Sequence, residues 1–127
     1  MSLLREMGPV RQVRGEPRRR WFSSDRCDLI VWLDDAGVPE GFQFCYDKDD
    51  DERALTWRPQ FGLSHMKVDY GDDPTARRGT PLLVADGAYD AARMLRLFQA
   101  EAALVPAEVA TLVAGKLSEL AGGADTR

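Results

Sequence analysis

One histidine, His65, and two cysteines, Cys27 and Cys45, are all that 127 residues hold of the side chains that most often bind zinc or carry thiol chemistry. Two separated cysteines make neither a disulfide framework nor a C-x-x-C redox pair. With a single histidine they do not fill a four-ligand zinc set either. No apolar run approaches the roughly 20 residues of a membrane helix. Residues 1–10 carry two charges and no long apolar stretch. The expectation is a cytoplasmic protein with reduced thiols and no membrane partner. Phosphate-cradling loops of the types G-x-x-x-x-G-K-[ST] and G-x-G-x-x-G are missing, as are G-x-S-x-G and H-E-x-x-H. No cofactor and no metal is expected, and no side chain is assigned a catalytic role. Asp47-Lys48-Asp49-Asp50-Asp51-Glu52 opens like a calcium loop, but Glu52 stands where that loop needs glycine and Arg58 where it needs glutamate. It reads as the solvated tip of a hairpin, and its charge discourages edge-to-edge aggregation.

An excess of positive charge is missing too. The 17 Lys+Arg face 21 Asp+Glu, for a net charge of −4, which gives no global attraction to nucleic acid. The distribution is uneven. Seven arginines against three acids make residues 1–27 basic, while nine acids against Lys48 make residues 28–52 acidic. Such neighbours neutralise one another, or the basic arm grips phosphate; the first is the simpler expectation.

Hydrophobic residues at 44% and charged residues at 30% describe an ordinary globular chain of one domain, long enough to bury a core without staples. Residues 1–17 mix Arg, Glu, Gly and Pro without periodicity and read as an N-terminal arm. A single α+β domain follows over 18–127, with a sheet over 18–85 and helices over 90–121. The strand-like runs are 18–23, 29–33, 41–46, 54–58 and 63–70, with a sixth possible at 80–85, where Pro81 favours an edge. Their separators hold the Gly, Pro, Asp and Ser of turns, and residues 71–79 read as a mobile loop. No helix fits between such short links, so neighbouring strands run antiparallel.

After residue 90 the period changes. Asp90 suits an N-cap, and Ala91, Met94, Leu95, Phe98 and Ala102 form one helical stripe. Pro106 opens a second helix, whose stripe is Val109, Leu112, Val113, Leu117 and Leu120 and which ends at Gly122-Gly123. The predicted fold is α+β, an antiparallel β-meander of five or six strands with a C-terminal αα-hairpin packed on one face.

Register decides which residues share a face. Apolar matching pairs Leu33 with Phe42, Val31 with Phe44, Leu29 with Tyr46, Tyr46 with Leu55, Phe44 with Trp57 and Leu55 with Met66. One face then carries Phe22, Leu29, Val31, Leu33, Phe42, Phe44, Tyr46, Leu55, Trp57, Met66 and Val68, and the helical stripes cover it. The other holds Arg19, Trp21, Ile30, Trp32, Gln43, Cys45, Thr56, Arg58, Leu63, His65 and Lys67, with no acidic residue at a strand position.

That mixed face supplies the functional expectations. Aromatics and arginine mark protein interfaces, so the first is a non-enzymatic interaction domain, self-associating as a homodimer. The candidate binding residues are Arg19, Trp21, Trp32, Gln43, Cys45, Thr56, Arg58 and His65. The second is a pocket or small enzyme on the same face for an anionic or aromatic small-molecule ligand, where His65 beside Cys45 and Thr56 could move a proton. A face half-solvated and covered by the N-terminal arm is the plain structural alternative. Binding of single-stranded nucleic acid through Arg19, Trp21 and Trp32 is a weaker expectation, because Arg18 and Arg20 point away from Arg19 on a strand.

Overall fold

The computed structural model describes residues 2–8, 12, 14–48, 51–69, 82–85 and 89–123. Seven strands follow one another in space as they do in sequence: β1 (Arg5–Met7), β2 (Arg19–Ser23), β3 (Asp28–Leu33), β4 (Pro39–Tyr46), β5 (Arg53–Arg58), β6 (Gly62–Asp69) and β7 (Leu82–Ala85). Every neighbouring pair is antiparallel. Two helices follow, α1 (Ala91–Glu101) and α2 (Ala107–Gly123). The expected α+β class and helical hairpin are present. Strands β2–β7 match the six runs of the sequence, and β1 adds a seventh from the stretch that reads as an arm. Tyr70, residues 71–79, Thr80 and Pro81 lie outside the described residues.

The helices begin where local chemistry places them. Asp90 Oδ1 accepts the Arg93 amide at 3.0 Å, and the Pro106 carbonyl accepts the Ala110 amide at 2.9 Å. Met94, Phe98, Val109, Val113 and Leu117 are buried against Phe22, Leu29, Val31, Phe42, Phe44 and Leu55. Phe98 meets Phe44 edge to face, 5.9 Å between centroids. Helix α1 crosses the strand ends: Arg93 near its start holds Asp47 after β4, and Glu101 at its end holds Ser24 after β2. Leu4 is fully buried in the same core, and its amide donates to the Glu101 carbonyl at 2.9 Å.

The register differs from the sequence expectation in two ways. Leu29 faces Phe44, Val31 faces Phe42, Phe44 faces Leu55 and Phe42 faces Trp57, each two residues from the expected pairing. The cause is longer strands: β4 reaches back to Pro39 through a bulge after Trp32, and β5 starts at Arg53. A shift of two leaves every residue on its face. The β5–β6 hairpin is shifted by one instead. Arg58 pairs with Gly62, and Leu55 faces His65 rather than Met66. Gly62 has φ +80°, and the Phe61 amide closes on the Arg58 carbonyl at 3.0 Å. A short loop closed by glycine in the left-handed region is a favoured hairpin; this one spans three residues, whereas the expected pairing needs four. Leu63, His65 and Lys67 therefore take register positions on the helix-covered face, and Ser64, Met66 and Val68 on the other.

Phe98→Ala should cost about 3–5 kcal/mol, the usual loss for a buried phenylalanine. Urea titration followed by circular dichroism measures it.

Candidate functional site

The face without helices is ordered in rows across the strands. The middle row is Trp21, Ile30, Gln43, Thr56 and Ser64. Toward the turns at residues 34–38 and 59–61 lies the row Arg19, Trp32, Gly41 and Gly62, with Arg58 between the two glycines. Toward the opposite end lies the row Ser23, Asp28, Cys45, Ala54 and Met66. Trp32 and Phe44 occupy opposite faces, as the alternation requires.

The turn-side row is built around Gly41. A Cβ there would sit 2.9 Å from the Trp57 carbonyl oxygen and 3.3 Å from Arg58 Cα and Cγ. With hydrogen in its place, Arg58 lies across the strand, its guanidinium carbon 4.4 Å from the Trp32 ring centroid and 4.8 Å from that of Phe61. A guanidinium held between two rings gains about 0.5–1 kcal/mol from each at an exposed site. It also covers the indole: Trp32 is 9% exposed, while Phe61 is 74% exposed.

Hydrogen bonds link the middle row to its neighbours. Thr56 Oγ1 donates to Gln43 Oε1 at 3.3 Å, and Gln43 Nε2 reaches Cys45 Sγ at 3.4 Å. Cys45, Ala54 and Val68 form a small buried apolar cluster on the same face. Trp21, Ile30 and Met66 are half-buried around it.

The third row contains an acid, contrary to the expected absence. Asp28 precedes the apolar run and reads from sequence as a turn residue, yet it pairs with both Ser23 and Cys45. Its Oδ1 accepts from Ser23 Oγ at 2.6 Å, Lys48 Nζ at 3.1 Å and Trp21 Nε1 at 3.4 Å. Lys48 also donates to the Ser24 carbonyl at 2.8 Å, which fastens the residue after β4 to the end of β2.

Of the eight sequence candidates, Arg19, Trp21, Trp32, Gln43, Cys45, Thr56 and Arg58 share this face, and His65 does not. The one-residue hairpin difference sends His65 to the helix side. There its Nε2 lies 2.6 Å from Tyr46 Oη, and its ring stacks on Tyr46 and tilts against Tyr89. Arg93 lies over the Tyr46 ring and holds Asp47 with two hydrogen bonds, at 2.8 and 3.0 Å. The pair keeps Arg93 above its ordinary pKa, mainly through that bonding. A proton relay of His65 with Cys45 and Thr56 is thus separated by the sheet itself.

Several ion pairs join the described residues. Arg20 binds Glu6 at 2.6 and 2.7 Å, which raises the arginine and lowers the carboxyl. Asp51 pairs with Arg53 and Lys67, and the Arg53 bond draws its carboxyl down. Asp49 and Asp50 lie outside the described residues. No group of three or more His, Cys, Asp or Glu among the described residues is arranged to hold a metal. Sequence reasoning misses Gly41, Asp28, Lys48 and Phe61 as contributors. The one advance signal is Gly41 at the head of an aromatic run; the other three read as turn residues.

Both thiols are pushed up to about 12 by burial; the Glu101 carboxylate adds to this at Cys27. They stay protonated in the folded chain where an unfolded thiol, near 8.5 by its ordinary value, ionises. The unfolded state then loses protons that the native state keeps, so stability falls as pH rises above about 8.5 and onward toward 12. At pH 8 a disulfide reagent should find no fast thiol in the native protein and two in urea, read by absorbance. No protein family, no curated protein sequence and no solved structure matches this chain.

Proposed function

We propose that the chain is a non-enzymatic binding domain that works by self-association, two copies meeting through the open sheet face. One observation carries the reading: the sheet has a second apolar cluster, Cys45, Ala54 and Val68, and Trp21, Ile30, Trp32 and Met66 share its face, on the side opposite the helices. A sheet of this kind usually turns a plainly polar second face to water. Trp21, Ile30 and Met66 stay partly exposed on this face, and a partner that covered them would take that apolar surface out of water.

Five strands spaced about 4.8 Å apart, with about 3.3 Å per residue, give the three rows a plan area of roughly 25 by 15 Å. That is about half of the roughly 800 Å² each partner contributes to a standard interface, so the contact is at the small end of the size range. The polar groups are prepared for burial as well. Thr56 donates to Gln43 and Asp28 accepts from three donors, so part of their hydrogen-bonding capacity is met within the face before any partner arrives. Chemistry on this face has little to work with. The Cys45 thiol stays protonated, and His65 lies on the far side of the sheet.

Sedimentation equilibrium at micromolar concentration should return twice the chain mass. Trp32→Glu should give a folded monomer, with dimer affinity down at least a hundredfold. A wild-type chain that sediments as a monomer at these concentrations overturns the reading.

A further inference from the structure

The start of the chain lies in a groove made by β2 and the end of α1. We propose that this groove is a strand-addition site for an extended peptide that carries leucine and, two residues later, an acid, and that residues 2–7 occupy it as a displaceable strap. The inference is independent of the open face, because the groove's apolar slot belongs to the core on the helix side of the sheet.

The strap is held lightly. Strand β1 ends the sheet order and, among the described residues, pairs with β2 alone. Its three residues, Arg5, Glu6 and Met7, are all exposed. Strands β2 to β5 each bury at least one side chain of their own. Here the buried side chain is Leu4, just before the strand. Cavities of about 350 and 300 Å³ adjoin the segment. A segment with few buried apolar contacts and an exposed ladder opens locally, ahead of the rest of the fold. When it lifts, residues 8–18 keep it tethered to β2.

The contacts of the strap define what the groove reads. The outer edge of β2 offers a ladder over Trp21–Ser23. The slot takes one aliphatic side chain into the core that holds Phe22 and Phe98, and the Glu101 carbonyl accepts the amide of the same residue at 2.9 Å. Two residues on, Arg20 grips the Glu6 carboxylate with both Nε and Nη2, at 2.7 and 2.6 Å. Alternate residues of an extended chain point to one side, so Leu4 and Glu6 address the slot and Arg20 while Arg5 and Met7 point away. In strand addition the main-chain bonds supply affinity and the pockets for alternate side chains supply specificity. A forked arginine–carboxylate contact adds geometric selection. The tether gives the resident strap an effective concentration in the millimolar range. A peptide in trans therefore competes with it, and its apparent affinity falls by the fraction of molecules with the groove open.

Fluorescence anisotropy with a labelled synthetic peptide of residues 2–7 reads the site. Leu4→Asp in the full chain takes the resident side chain out of its slot, and this variant is expected to bind the peptide at least tenfold more tightly than the wild-type chain does. Within the peptide, Leu4→Asp should abolish binding and Glu6→Lys should weaken it at least tenfold. Circular dichroism checks the fold of the variant, and Leu4→Ala makes the same comparison if Leu4→Asp fails to fold. Hydrogen exchange of the wild-type chain gives a further measurement: the Leu4 amide is expected to exchange at least tenfold faster than that of Val31. A folded variant that does not take up the peptide, or that takes up the Asp-substituted peptide equally well, overturns the proposal. Equal protection of Leu4 and Val31 overturns it as well, because the strap would then leave only when the whole fold does.

Discussion

A helical hairpin can cover only one side of a sheet. Everything else in this molecule follows from which residues alternation assigns to that side. Phe22, Leu29, Val31, Phe42, Phe44 and Leu55 lose all contact with water beneath α1 and α2. At about 25 cal/mol per Å² of apolar surface, that layer is the main force holding the fold. The same alternation leaves Trp21, Ile30 and Trp32 outside it. Their place on the open side is the price of a strand sequence, DLIVWL, that is apolar on both faces, beside the indole of β2.

The molecule manages that second side with small devices. Gly41 lets Arg58 lie down over an indole. Thr56 donates to Gln43, and Asp28 gathers Ser23, Trp21 and Lys48 at the far end. Each device pairs polar or aromatic groups within the face without making the face hydrophilic.

Much of this is legible from the residues. The period of two in the first two thirds and the stripes of Met94, Phe98, Val109 and Val113 identify both layers and the buried side. Asp90 and Pro106 mark the helix starts. Strands β2 to β5 take the faces that alternation gives them, even where the expected partners are off by two. Strand β6 departs because its hairpin can close over three residues or four, and apolar matching favours Met66 against Leu55. Gly62 is the clue: a glycine directly after a Pro-containing turn suits the left-handed residue that closes a three-residue loop. His65 leaves the candidate site with that single residue. Asp28 is misleading because an aspartate beside an apolar run resembles a turn residue, and no local rule reveals that its neighbours on both sides extend the ladder.

The Leu4–Glu101 hydrogen bond joins the first strand's approach to the last turn of α1, across most of the chain. Closing so long a loop directly is entropically costly, and the β1–β2 ladder shortens it by placing Leu4 beside β2. Leu4 nevertheless sits in the same apolar layer as Phe22 and Phe98. The start of the chain is therefore fastened twice, by the β1–β2 ladder and by this bond to the end of α1.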